Sequence, residues 1–144
     1  MIHVVEVDLP VSTRVLESVI GDLTTYPRWM GLVHSVSPAD DLGGHRVELR
    51  GKIGPFARSK VLRMERMDDA DRIRFVRREL DGRAHGRWEL EAEITSSRTS
   101  SESTLTMTLL YEGRWWTSVV EKLLSEEVEA SKIRLRDVVL GAGR

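Results

Sequence analysis

"RRELDGRAHGRWELEAEI", residues 77–94, opens on arginines, closes on glutamates, and carries Asp81-Gly82 and a single Trp88 in between. It reads in three ways: a basic run for nucleic acid, paired carboxylates for acid–base catalysis, or two strands of a sheet. Asp-Gly between two alternating runs favours the strands, because both central residues of a two-residue hairpin turn need positive φ, which Asp and Gly tolerate best. A turn at Asp81-Gly82 pairs Phe75 with Trp88, Ile73 with Leu90, Arg74 with Glu89 and Arg72 with Glu91. One face is then apolar and the other salt-bridged, and a slip by one residue would destroy all four matches together. On this reading the charges are structural, and Glu89, Glu91 and Glu93 form an outward, solvated row rather than an acid–base pair.

The alternation continues outward from that hairpin. Trp88, Leu90, Ala92 and Ile94 share one side; Leu105, Met107, Leu109 and Tyr111 then alternate with Thr104, Thr106 and Thr108. Upstream, "HRVELRGK" and "ARSKVLRMERM" read as two strands joined through Gly54-Pro55. "LVHSVSPAD" reads as a weaker strand before Gly43-Gly44, and residues 2–8 as the first. Helical spacing interrupts the strands twice. Val15, Leu16, Val19, Ile20 and Leu23 form a stripe that Pro27 ends, and "TSVVEKLLSEEVEASKIRLRDVVL" forms a longer one, with Ser118 and Glu121 spaced as a capping box. Val120, Leu124, Val128, Leu135 and Val138 lie on its apolar side, and Glu127 and Ser131 fall inside that stripe.

The expected order is strand, one or two short helices, six antiparallel strands and a long helix from about 116 to 140. An antiparallel sheet with one apolar face must cover it, and only the final helix is long enough. The fold class is therefore α+β, a seven-stranded curved antiparallel sheet wrapped around the C-terminal helix, in a single domain over residues 1–144.

Composition agrees: 144 residues, 40% hydrophobic, 31% charged, net charge −1 and no cysteine. A chain of this length buries a core without staples, and thiol chemistry and disulfides are excluded. The N-terminus shows no export signal and no apolar run is long enough to span a bilayer, so a cytoplasmic location is expected. The serine-rich piece Ser96 to Ser103 is loop-sized and divides nothing. His3, His34, His45 and His85 show no ligand spacing, "GKIGPFARSK" lacks the phosphate-loop pattern, and no Gly-x-Ser-x-Gly elbow occurs, so neither metal nor cofactor is expected. Residues 46–87 hold thirteen Lys and Arg against seven Asp and Glu, a basic outer patch. Because the arginines have carboxylate partners, a nucleic acid is not the expected partner.

The opening "VEVDLPVSTRVLESVIGDLTTYPRWM", the consecutive strands "WELEAEI" and "LTMTLLYEG" and the closing helix resemble the helix-grip superfamily called SRPBCC or START-like, over essentially the whole chain. That superfamily includes polyketide cyclase/dehydrase-like and coenzyme-Q-binding-like proteins. The resemblance implies a cavity between sheet and helix for an apolar small molecule or lipid. The inward positions then become candidate lining: Met64, Phe75, Arg77, Trp88, Leu90, Met107, Leu109 and Tyr111 from the sheet, Leu124, Glu127, Val128 and Ser131 from the helix, and Trp29 after the first helix.

Arg77 stands out, because a charge at the end of an apolar row must find a partner or a ligand, or snorkel to water. Glu127 and Ser131 are the natural opposite wall if it points inward. The leading function is binding or carriage of an apolar ligand. The alternatives are an aromatase/cyclase or dehydratase, in which Arg77 steadies an enolate oxygen and Glu127 or Tyr111 moves a proton, and an adaptor offering its outer sheet face to a protein partner.

Overall fold

The computed structural model describes residues 1–99 and 101–144; Ser100, within the serine-rich piece, lies outside the described residues. Seven antiparallel strands form one curled sheet: β1 (Ile2–Leu9), β2 (Val33–Val36), β3 (Gly44–Ile53), β4 (Phe56–Arg66), β5 (Arg72–Arg77), β6 (Trp88–Ser96) and β7 (Ser103–Tyr111). Their spatial order is β1-β7-β6-β5-β4-β3-β2, so strands two to seven form a meander and β1 returns to pair with the last of them. The helices are α1 (Thr13–Ile20), α2 (Arg114–Glu126) and α3 (Val128–Ala142). The α+β helix-grip architecture expected from the pattern is the one observed.

The sheet's inner side follows side-chain alternation. Leu62, Ile73, Phe75, Trp88, Leu90, Ala92 and Leu105 are all buried on it. Helix α1 starts at Ser12, whose hydroxyl accepts from the Val15 N–H, and buries Leu16, Val19 and Ile20. A 3-10 turn, Leu23–Arg28, follows with Pro27 inside it, and its Tyr26 is fully buried with its hydroxyl donating to the Ile20 carbonyl at 2.8 Å. Helix α2 comes so close to β3 that a Cβ on Gly51 would lie 2.5 Å from Val119 Cγ1. Glycine there sets the depth to which the helix sinks.

Three sequence-based expectations are corrected. Residues 72–94 do not turn tightly at Asp81-Gly82: β5 ends at Arg77, β6 begins at Trp88, and residues 78–87 form a loop. The loop has its own bonds. Asp81 Oδ1 accepts from the Arg83 N–H, its carboxylate meets His85 Nε2 at 2.9 Å, and the Arg78 N–H turns away to the Arg63 carbonyl on β4. Asp81 thus serves the turn through its side chain. The register slips by two as a result, pairing Phe75 with Leu90, Ile73 with Ala92, Arg74 with Glu91 and Arg72 with Glu93. A shift of two preserves the faces, so the inward and outward assignments stand although the four pairings do not.

The final helix, secondly, is two helices interrupted at Glu127 (φ −122°, ψ −2°). Glu126 and Glu127 oppose the negative C-terminal end of α2, whereas Glu129 in the first turn of α3 suits a positive N-terminal end. Thirdly, α2 begins at Arg114 after Gly113, so Ser118 is interior and the capping box does not form.

On the outer face Glu89 is 8% exposed, held by Arg74 at 3.0 Å and Arg87 at 3.1 Å. The hydrogen bond from Arg87 keeps its carboxyl below the usual carboxylate range against the opposing effect of burial, and Arg74 adds to this. No described helix is long and apolar enough to cross a membrane.

Candidate functional site: an apolar pocket under the helix pair

Inward side chains of β1, β6 and β7 face the underside of α2 and α3 across a pocket of about 120 Å³. The sheet contributes His3, Val5 and Val7 from β1, Leu90 from β6, and Leu105, Met107 and Leu109 from β7. The turn after the 3-10 segment closes one side with Trp29, Met30, Gly31 and Leu32. Helix α2 adds Val120, Leu123 and Leu124, and α3 adds Val128, Ser131, Lys132 and Leu135. The kink at Glu127 therefore lies where one set of helical wall residues gives way to the other.

The polar wall groups are His3, Ser131 and Lys132. His3 Nε2 lies 3.1 Å from the Tyr111 hydroxyl and its ring stacks on Tyr111 at 5.7 Å. Burial pushes the Tyr111 phenol upward, so it is neutral across the physiological range. Ser131 Oγ accepts from Arg134, whose Nε also reaches the Trp29 carbonyl at 3.4 Å. Lys132 pairs with Glu129 at 3.5 Å. Trp29 packs on Tyr26 with ring centres 4.6 Å apart, and its buried Nε1 has no hydrogen-bond partner among the described residues.

Of the candidate lining residues, this pocket brings together Trp29, Leu90, Met107, Leu109, Leu124, Val128 and Ser131. Met64, Phe75, Arg77, Trp88, Tyr111 and Glu127 do not line it. Covering by other side chains explains most of these. Phe75 faces inward but meets Tyr26 edge-on at 6.1 Å, and Trp88 is covered by Trp116 at 6.0 Å and Tyr111 at 5.2 Å. Met64 is buried opposite Arg77 on the neighbouring strand. Glu127 is exposed at the kink, on the Gly31 side.

Arg77 is the substantive correction. Its side chain is 10% exposed, but its partner is Glu79 at 3.0 Å, with a further bond to the Gly86 carbonyl at 3.2 Å. Burial works against ionisation of Glu79, yet hydrogen bonds from the Arg63 N–H and from Arg77 outweigh it and leave the carboxyl below its ordinary value. The charge is neutralised inside the 78–87 loop, and neither Glu127 nor Ser131 is its partner. The mechanism that placed Arg77 against an enolate in the cavity has no geometric support.

Sequence reasoning missed the whole β1 wall, the Met30–Leu32 stretch and Lys132. In "IHVVEVDL" apolar residues sit on both alternating sets, so alternation alone does not choose a face. Pairing settles it: His3 faces Leu109, Val5 faces Met107 and Val7 faces Leu105.

No protein-family model and no curated protein sequence matches the chain. Solved structures do. A START superfamily protein from Mycobacterium smegmatis superposes with TM-score 0.69 at 15% identity, covering 95% of this chain and 98% of that one. A protein from Thermus thermophilus gives 0.68 at 21% identity with both chains fully covered. The fold is the START-like helix grip. The Zhui aromatase/cyclase from a Streptomyces species shares it at TM-score 0.56 and 17% identity, over all of this chain and 95% of its own. At these identities the START-like likeness is one of architecture.

Proposed function

We propose that the chain binds or carries an apolar small molecule or lipid in the pocket between β1, β6, β7 and the α2–α3 pair. The observation that carries this reading is the pocket wall itself, aliphatic on the sheet and helix sides and polar only at His3, Ser131 and Lys132. Sites for small ligands are concave, mostly apolar and furnished with a few placed polar groups. A dry apolar space of about 150 Å³ accepts benzene in an engineered protein, so about 120 Å³ suits a single ring or a short stretch of chain. A longer ligand needs α2 and α3 to part. The polar groups favour a ligand with an apolar body and one polar end. Denaturing extraction of the purified protein followed by mass spectrometry tests this: a stoichiometric apolar compound is expected, and an empty extract with no thermal shift from any apolar ligand overturns it.

A second reading, proton transfer to or from a bound carbonyl compound, is favoured by one arrangement. His3 stands in the pocket wall with Nε2 3.1 Å from the Tyr111 hydroxyl, a pair able to pass a proton. His3→Gln separates the readings. It leaves ligand affinity nearly unchanged under both, and abolishes hydrogen–deuterium exchange at the ligand's α-carbon only under the second.

A further inference from the structure

We infer that the β3–β4 hairpin tip, together with the start of α2, is a docking surface for an anionic lipid bilayer. From Arg50 to Lys60 the sequence carries four cations and no acid. The hairpin turns at Gly54, whose φ is +55°, and lifts Phe56 into solvent, 67% exposed. Beside it Arg58 lies over the half-buried Trp115 ring, 5.0 Å from its centre, and Arg114 opens α2. The patch thus combines aromatic rings and cations at one end of the molecule.

Arg63, Arg66, Arg72, Arg74, Arg77 and Arg87 are neutralised locally by carboxylates. Among the described residues Lys52, Arg58 and Arg114 form no ion pair. Arg114 moreover occupies the first turn of α2, which holds no acidic residue, so its charge opposes the helix dipole. Glu112, the nearest acid in sequence, is turned toward the Gly86 loop. A protein of net charge −1 gains nothing in solution from gathering unpaired cations around a positive helix end. An anionic headgroup layer relieves that repulsion, while Phe56 and Trp115 suit the depth at which aromatic rings settle in a bilayer interface. This inference does not rest on the pocket reading, since docking needs no ligand.

The test is partition of the whole protein onto vesicles, read by co-sedimentation and by the blue shift of tryptophan emission. Binding is expected to phosphatidylglycerol-containing vesicles, to weaken as salt rises, and to be absent from pure phosphatidylcholine. Lys52→Gln should weaken partition about fivefold, the contribution of one cation near an anionic surface. Phe56→Ser should weaken it about tenfold, the low end for burying a phenyl ring. Leu42→Ser, at a comparably exposed position (66%) outside the patch, should change nothing. Circular dichroism confirms that each variant is folded, and because Lys52→Gln removes only a surface charge it tests the inference even if Phe56→Ser misfolds. The inference is overturned by equal partition onto neutral and anionic vesicles, by no partition at all, by wild-type binding of folded Phe56→Ser and Lys52→Gln, or by binding to polyglutamate in place of vesicles.

Discussion

Val5→Phe is the sharpest test of the pocket. Val5 points into it from β1, opposite Met107, and a phenyl ring at that position grows into space that is otherwise unfilled. Residual cavity volume costs about 24 cal/mol per Å³ in cores. For the whole of about 120 Å³ this sets a ceiling of about 3 kcal/mol on what filling returns. One ring cannot occupy all of it, and some strain must offset the gain, so we expect a stabilisation of about 1 kcal/mol and a rise in Tm of about 3 °C. Differential scanning fluorimetry with and without a single-ring aromatic ligand gives the second half of the test. At ten times its Kd such a ligand stabilises the wild type by about 1.4 kcal/mol, and it should shift Val5→Phe not at all. A retained ligand shift in Val5→Phe would refute the location of the site, and a marked fall in Tm would show that the wall cannot accept the ring.

Arg77→Met should cost about 2 kcal/mol by leaving Glu79 half-buried without its charged partner, while affinity for an apolar ligand stays at the wild-type value; adding Glu79→Leu should recover most of the loss, measured by urea unfolding and calorimetry. Glu89 is held below its unfolded value, so its contribution to stability is present above the unfolded carboxylate range and is lost as pH falls through the folded value. Glu89→Gln should therefore be less stable than wild type at neutral pH, with the difference closing below about pH 4; a constant difference across that range would show that the ionised form is not what stabilises. Gly51→Ala should destabilise by about 1–3 kcal/mol, because its Cβ meets the stiff Val119 side chain and α2 must retreat from β3; an unchanged Tm would show that the helix rides freely.

The strands and their faces were legible because a period of two survives any even slip. That is why Phe75, Leu90 and Trp88 came out on the correct side although their partners did not. The turn failed because Asp81 can serve a backbone turn or its own side-chain turn with His85 and Arg83, and local sequence does not decide between them. The last helix was read as continuous through Glu127, since periodicity counts side-chain phase and is blind to a single residue leaving helical φ and ψ. Arg77 was read as facing Glu127 and Ser131 across the cavity, or snorkelling to water, when its partner Glu79 lay two residues away. Burial alone marked it correctly; a partner is a fact of three dimensions.

The position of β1 carries one more consequence, for how the molecule is made. Ile2 pairs with Leu110 and Leu9 with Ser103, while every other strand pairs with its neighbour in sequence. Loop-closure entropy makes such distant pairing slow, and β1 has no partner until β7, about a hundred residues later, has been synthesised. The meander can form step by step, whereas His3, Val5 and Val7 join it only at the end. A chain stopped before β7 lacks one sheet wall and both covering helices and so has no pocket, which makes ligand binding a report on completion of the fold.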